Sequence, residues 1–354
     1  MERRNMDFPG TGNFESARVL PWIFLPPLAA SVPPVSSFST MRHLIFLLLL
    51  SISAAAGGPP AEKRIVFLGD SITQAGGYLE IIEAALITRH PDVKYDFLPI
   101  GLASETLSGL SEPGHAGGSF PRPNLHERLG RVLEKAKPQL VFACYGMNDG
   151  IYYPFSPERS QAYQDGMRKL REKVQAAGAR IVHLTPPVFD PMPIKENLLG
   201  DGLAEYPKPW QGYNTVLDTY SDWLLSQRQH QWEVLDIHGP MNASLAEHRK
   251  TDATFTFAKD GVHPGPAGHR LMAQPILEAW GLKANADGTP VHPDGPAILR
   301  AVQKKQALLK PAWLSHTGHL RPGIGAGLPL PEAESQAGVF DTEARRLARN
   351  PAAN

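Results

Sequence analysis

Ser71, Asp260 and His263 are the three residue types that together turn a hydroxyl into a nucleophile, and each stands in a turn rather than inside an apolar run. Acyl transfer needs a nucleophile, a base that takes its proton, a group that orients the base, and donors aimed at the developing oxyanion. Ser71 is the candidate nucleophile. Asp260 and His263 lie three apart, a spacing that lets the carboxylate accept a hydrogen bond from one imidazole nitrogen while the other faces a serine. Asn148, in Gly146-Met147-Asn148-Asp149-Gly150, carries an amide able to donate to an oxyanion. Cys144 ends the apolar run Leu140-Val141-Phe142-Ala143-Cys144, where a thiol behaves as a small hydrophobe, so it is expected in the core. A lone cysteine permits no intramolecular disulfide and no cysteine-type zinc site. No metal-ligand cluster competes with the serine, and no metal or cofactor is expected.

These side chains must be positioned by short apolar strands alternating with amphipathic helices. Ile65 to Leu68 is a β-branched and aromatic run that stops at Gly69, as a fully buried parallel strand does. Ser71 then falls just past a strand's carboxyl end, where open α/β sheets bind ligands. The same alternation predicts strands over 95–100, 140–145, 181–184 and 233–237, and helices over 78–86, 125–136, 161–177, 213–229 and 267–280. This order, without internal repeats, argues a three-layer α/β/α sandwich with a parallel sheet. Two glycine- and proline-rich stretches interrupt it, a loop over 101–123 and an insertion over 190–212; loops of that length are often functional. Beyond Gly281 come a loop over 285–296, a helix over 297–309, a glycine- and proline-rich stretch over 323–330 and a last helical pattern over 342–348. They read as a C-terminal helical extension that packs on the core or covers the site.

Three blocks resemble the SGNH hydrolases of the GDSL esterase superfamily. Gly69-Asp70-Ser71-Ile72 is similar to the family's nucleophile block, Gly146-Met147-Asn148-Asp149 to its asparagine block and Asp260-Gly261-Val262-His263 to its closing acid and base block. They occur in the family's order and span residues 64–281. The resemblance implies a flavodoxin-like sheet of the SGNH type, with Ser71 as nucleophile, His263 as general base and then acid, and Asp260 as the residue orienting the imidazole. It also implies an oxyanion hole from the Ser71 N–H, the Asn148 side chain and one more backbone N–H, which the family takes from a glycine in its second block. Here that block reads Gly101-Leu102-Ala103-Ser104-Glu105-Thr106, with Ser104 in the glycine's place. Either Ser104 donates or Gly101 does so through a shifted register. Serine tolerates positive φ less readily than glycine, and losing one oxyanion donor costs on the order of 3 kcal/mol in the barrier.

Other polar and aromatic residues have plainer readings beside the functional ones. His115 reads as a substrate contact or as a solvent-exposed loop histidine, and His183, inside an apolar strand, as a satisfied core histidine rather than a ligand. Tyr152, Tyr153 and Phe155 either line an acyl or sugar pocket or pack beneath a loop.

The address is written near the start of the chain. Met41-Arg42-His43 is a short basic lead, Leu44 to Ile52 is apolar, and Ala54-Ala55-Ala56 supplies small residues for cleavage, which together read as a secretory signal peptide over 41–57. Translation is expected to begin at Met41, leaving 1–40 as a gene-model extension or else a disordered leader. The domain expected to carry the chemistry spans 62–283 and the extension 284–354, in a protein that is secreted or periplasmic. The apolar stretch is shorter than the roughly 18 residues that cross a bilayer, so no stable membrane insertion is expected after cleavage. With 35 basic and 35 acidic residues the formal charge is zero, and no basic run interleaves with aromatics; nucleic acid is therefore not an expected partner. The expected partner is a small ester or an acetylated carbohydrate, and the expected activity that of an exported serine esterase. A reading of another class is a glycan-binding module on the same fold, impaired at Ser104. An α/β-hydrolase lipase is disfavoured, because no G-x-S-x-G elbow occurs.

Overall fold

The computed structural model of the protein describes residues 59–350. The segments read as leader and signal peptide lie outside the described residues. Five strands, β1 (Arg64–Gly69), β2 (Asp96–Pro99), β3 (Leu140–Cys144), β4 (Arg180–Leu184) and β5 (Glu233–Leu235), form one all-parallel sheet in the order β2-β1-β3-β4-β5. Every residue of β3, and all of β1 after Arg64, is buried. A strand covered on both faces has no polar side to show, which is why these segments are unbroken apolar runs. The centre of the sheet is aromatic: Phe67 of β1 stacks on Phe97 of β2 at 5.3 Å and on Phe142 of β3 at 5.1 Å.

Helices α1 (Ser71–Ala75) and α2 (Gly77–Arg89) lead from β1 to β2, α3 (Leu125–Ala136) precedes β3, and α4 (Pro157–Ala176) joins β3 to β4. Then α5 (Tyr213–Ser226) precedes β5, and α6 (His238–His248) and α7 (Pro266–Ala279) follow it. The sheet grows from β1 in both directions, and parallel crossovers are right-handed. The connection through α2 therefore covers one face and those through α3, α4 and α5 the other, while α7 packs beside α2. This is the expected three-layer sandwich with a flavodoxin-like strand order. The reversal of winding between β2 and β3 also opens a crevice at the carboxyl ends of β1 and β3.

Helix α3 has the expected bounds, and α2, α5 and α7 lie within three residues of theirs. In α3, Leu125, Leu129 and Val132 are buried on one stripe, Asn124 caps the start by accepting from the His126 N–H at 2.9 Å, and Lys137 ends it in the left-handed region. Helix α4 begins earlier than the expected residue 161, because Ser156 caps it and Pro157 fits its first turn. Two short helices were not foreseen: α1 has only five residues, and α6 is masked in sequence by Gly239 and Pro240 at its start.

Helices α8 (Gly295–Thr317) and α9 (Leu330–Ala348) pack on each other and on α2. The buried Lys305 Nζ donates to Glu83 Oε1 of α2 and to Asp341 Oδ1 of α9, both at 2.6 Å. The helix expected to stop near Leu309 runs on through Pro311, because Ala312, Trp313 and Leu314 beyond it are buried. That packing outweighs the roughly 3 kcal/mol an interior proline costs. The helix expected over 342–348 starts at Leu330, with Pro331 in the first turn, where a missing N–H has no partner to lose. No helix among the described residues is long and apolar enough to cross a membrane.

His183 and Cys144 are both core residues. His183 is fully buried and stacks on Trp232 at 4.8 Å, but neither ring nitrogen has a hydrogen-bond partner, so the expectation of a satisfied histidine is corrected. Burial holds it neutral, down to a pKa of about 3. Cys144 is buried at the end of β3 and its thiol is pushed well above the usual range by desolvation.

Candidate active site

Four sequence segments reach the carboxyl edge of the sheet. Ser71 is the first residue of α1, directly after the Asp70 cap whose Oδ1 accepts from the Ile72 N–H at 2.9 Å. Across from it, the turn carrying His263 stands between α6 and α7. Ser71 Oγ lies 2.7 Å from His263 Nε2, and His263 Nδ1 lies 2.7 Å from Asp260 Oδ2. An ionised carboxylate only accepts, so it places the ring proton on Nδ1 and leaves Nε2 free to accept from the serine hydroxyl. Asp260 Oδ1 in turn accepts from the N–H groups of His263 at 2.8 Å and Val262 at 3.0 Å. Burial raises the Asp260 carboxyl, but those two N–H groups and the imidazole outweigh it and hold the group below the usual carboxylate range.

The turn itself is held from below. Gly261 has φ +78° and its oxygen accepts from the Asp190 N–H at 2.8 Å. A Cβ there would fall 2.6 Å from the Asp190 oxygen, so only glycine fits. Asp190, buried, receives Arg249 Nη2 on both carboxylate oxygens at 2.7 and 2.8 Å. The side chains of Ser71, His263 and Asp260 remain open to solvent, with those of His263 and Asp260 about half exposed, at 49% and 57%.

The second block lies between these groups and Asn148. The Leu102 N–H donates to the Gly69 oxygen at 2.9 Å, the Ala103 N–H to Gln74 Oε1 of α1 at 2.7 Å, and the Glu105 oxygen accepts from Asn148 Nδ2 at 3.2 Å. Ser104 sits between those anchors with φ +66°, the left-handed conformation a glycine would take. Gly101 instead is buried with its α-carbon against α1: a Cβ there would meet the Gln74 nitrogen at 2.4 Å. Its need for glycine is explained by that close approach.

Asn148, 4% exposed, follows β3, whose Cys144 pairs with Gly69 of β1. Its Oδ1 accepts from Arg122 Nη1 at 2.9 Å and from the Tyr152 hydroxyl at 3.3 Å. Arg122 also donates through Nε and Nη2 to both oxygens of Glu112, at 2.7 and 2.6 Å, and lies 5.2 Å over the Tyr152 ring. Ile151 and Tyr152 both have positive φ, +50° and +60°, a rare conformation for a β-branched and an aromatic residue. Behind the amide, Glu105 is gripped by Arg128 at 2.6 and 2.7 Å and by the Tyr145 hydroxyl at 2.7 Å, all buried. Asp149 accepts from the Leu107 and Ser108 N–H groups, and burial pushes it up to about 6 despite them. Burial likewise pushes Asp70 up to about 7, against the Ile72 N–H and His263, which lower it.

The remaining sequence candidates separate cleanly. Tyr152 packs on Tyr213 at 4.7 Å, reaches Asn148 and, with Tyr153 and Tyr206, lines a cavity of about 360 Å³ together with Glu112, Arg122, Glu205 and Lys208. Phe155 is 47% exposed and is not among the residues lining that cavity. His115 is not the solvent-exposed histidine of the plainer reading. Its side chain is only 11% exposed, between Glu112 at 3.5 Å and the edge of Phe120, and burial lowers its pKa. Sequence reasoning missed Arg122, Glu112 and the Glu105–Arg128 pair. Arg128 had a signal, since it lies on the same stripe as Leu125, Leu129 and Val132, where a charge needs a buried partner; Arg122, between two prolines of a loop, had none.

Residues 67–271 match the GDSL-like lipase/acylhydrolase family. No curated protein matches the chain. Among solved structures, it is similar to BT4096, a gut microbial diltiazem-metabolizing enzyme, at 23% identity and a TM-score of 0.47, covering 66% of this chain and 50% of that one. It therefore spans half the length of that enzyme. It is also similar to Axe2, an acetylxylan esterase from Geobacillus stearothermophilus, at 21% identity and a TM-score of 0.47, covering 64% of this chain and 97% of that one. The chain belongs to the GDSL-like lipase/acylhydrolase family.

Proposed function

We propose that the protein is an exported serine esterase that hydrolyses a small carboxylic ester, an acetyl ester above all, through a covalent acyl-enzyme. The observation that carries the reading is the 2.7 Å approach of Ser71 Oγ to His263 Nε2, between residues 192 positions apart. In the first half-reaction His263 takes the Ser71 proton as Oγ bonds to the ester carbonyl carbon. The protonated imidazole then returns that proton to the alkoxide leaving group as the carbon–oxygen bond breaks. In the second half-reaction His263 deprotonates water, which attacks the acyl carbon, and the proton goes back to Ser71. Asp260 holds the ring in the tautomer both halves require.

The oxyanion receives the N–H groups of Ser71 and Ser104 and one N–H of Asn148 Nδ2. Support for Ser104 over Gly101 comes from its φ of +66° and its place between the anchored residues 103 and 105. No observation favours the binding-module reading, since Ser104 adopts the backbone a glycine would.

The cavity beside Asn148 suits the alcohol part of the substrate. Tyrosine rings with Glu112, Glu205 and Lys208 on its walls fit a hydroxylated group such as a sugar better than a long acyl chain. The name of the acetylxylan esterase agrees with that choice without carrying it. The domain is assigned to 62–283 with 284–354 as an extension, and export to a signal peptide over 41–57 beginning at Met41. Purified protein should hydrolyse p-nitrophenyl acetate, and Ser71→Ala should lower kcat by at least about 10³-fold. Equal rates for the two would end the proposal.

A further inference from the structure

We infer that Arg122 is a positioning residue of this site: clamped by Glu112, it holds the Asn148 amide oxygen so that an Asn148 N–H faces the place where the oxyanion forms. The inference rests on the reading of Asn148 as an oxyanion donor. A primary amide is nearly symmetric in shape, so its oxygen and nitrogen exchange places by a half-turn whose cost is set by their hydrogen-bond partners alone. In the observed orientation the oxygen meets two donors, Arg122 Nη1 at 2.9 Å and the Tyr152 hydroxyl at 3.3 Å, while the nitrogen meets one acceptor, the Glu105 carbonyl at 3.2 Å. After a half-turn the amide N–H groups would face the guanidinium N–H, and the amide oxygen would face a carbonyl oxygen. Both encounters are repulsive in a place that is nearly dry, with Asn148 4% and Arg122 8% exposed.

The network therefore admits one orientation, and that orientation leaves the second Nδ2 proton unspent. A flipped amide would present an acceptor where negative charge develops, turning a stabilising donor into a repulsive dipole.

The clamp explains why an arginine is needed. Its Nε and Nη2 meet both Glu112 oxygens, which fixes the guanidinium plane and leaves Nη1 pointing at the amide. A lysine offers a point charge without that fork. The positive group on the amide oxygen also draws electron density from the nitrogen, which strengthens the N–H as a donor to an anion. The segment that carries both partners, Ser111–Arg122, has no strand or long helix to hold it, so Glu112 and Arg122 serve the site as a pair.

The test is a kinetic double-mutant cycle on p-nitrophenyl acetate with Arg122→Met, Asn148→Ala and the double variant. Arg122→Met should lower kcat by about 10- to 100-fold with KM changed less than about 3-fold, since the interaction is made to an oxyanion and not to the ground-state ester. In the Asn148→Ala background the same substitution should cost less than about 3-fold, because the group it positions is gone. Arg122→Lys should recover less than about 3-fold of the lost kcat. Equal losses in both backgrounds would show that Arg122 acts elsewhere and overturn the inference while leaving the esterase intact. An Asn148→Ala variant with unaltered kcat would instead remove the donor reading itself. Should Arg122→Met not fold, Glu112→Gln, which keeps the shape and loses the charge, gives the same cycle with a smaller first loss and the same two outcomes.

Discussion

The two walls of the candidate site are built on opposite principles. On one side, Asp260 and His263 stand about half exposed on a short turn. On the other, Asn148 is closed in by Arg122, Tyr152 and Glu105, and Glu105 by Arg128 and Tyr145. In the proposed reaction the first wall moves protons, and a group that must gain and lose a charge in each turnover works best where water solvates both forms. In the same proposal the second wall supplies fixed dipoles to a charge that appears only in the transition state, and fixed dipoles are strongest where water is absent and cannot reorient. Disturbing the exposed wall should therefore alter rate and spare stability, whereas disturbing the buried wall should alter how the protein bears changes of pH.

The strongest break in that contrast is Asp260→Asn. The amide keeps the shape and the two backbone contacts but permits the wrong imidazole tautomer, so kcat should drop by about 10⁴-fold. Thermal denaturation should place its Tm within a few degrees of the parent; a large drop in Tm would show that the exposed wall also bears on the fold.

Asp70→Asn probes the buried side and should have an effect on the order of a few kcal/mol. The Asp70 carboxyl titrates near 7 in the fold against 3.8 as an ordinary value. A raised carboxyl contributes its stability fully below pH 3.8, and that contribution is lost as pH rises through about 7, because the unfolded chain ionises first. Asparagine retains the oxygen that caps α1 and cannot ionise. Urea denaturation at pH 4.5 and pH 8 should find the variant gaining on the parent as pH rises, and parallel curves would mean that Asp70 carries no such strain.

The smallest effect is expected from Ser104→Gly. Removing the side chain relieves a left-handed conformation, offset in part by the freer unfolded chain, so stability should rise by no more than about 1 kcal/mol. The N–H remains, and kcat on p-nitrophenyl acetate should stay within about 3-fold. A collapse of activity would show that the Ser104 hydroxyl, not its backbone, serves the reaction.

The legible part of the protein is the part governed by local pattern. Buried strands read as unbroken apolar runs because both their faces are covered, and Leu125, Leu129 and Val132 marked α3 by helical spacing. Ser71, Asn148, Asp260 and His263 were legible because a hydroxyl, an amide and a carboxylate–imidazole pair carry their chemistry in their types. Where local pattern misled, a distant contact had intervened: α8 passes through Pro311 because the residues beyond it are buried, and His183 lies unpaired in the core against Trp232.

By itself the sequence determined the layered parallel sheet and the four groups at its carboxyl edge, since periodicity and residue type are properties of the chain read in order. Only the tertiary structure decided that Ser104 takes the glycine's left-handed backbone and that Arg122, anchored by Glu112, ends on Asn148. Those outcomes depend on which loops meet above the sheet. Loops without periodicity carry no local record of their partners, so the orientation of one amide emerges only from the packing of segments that the chain keeps apart.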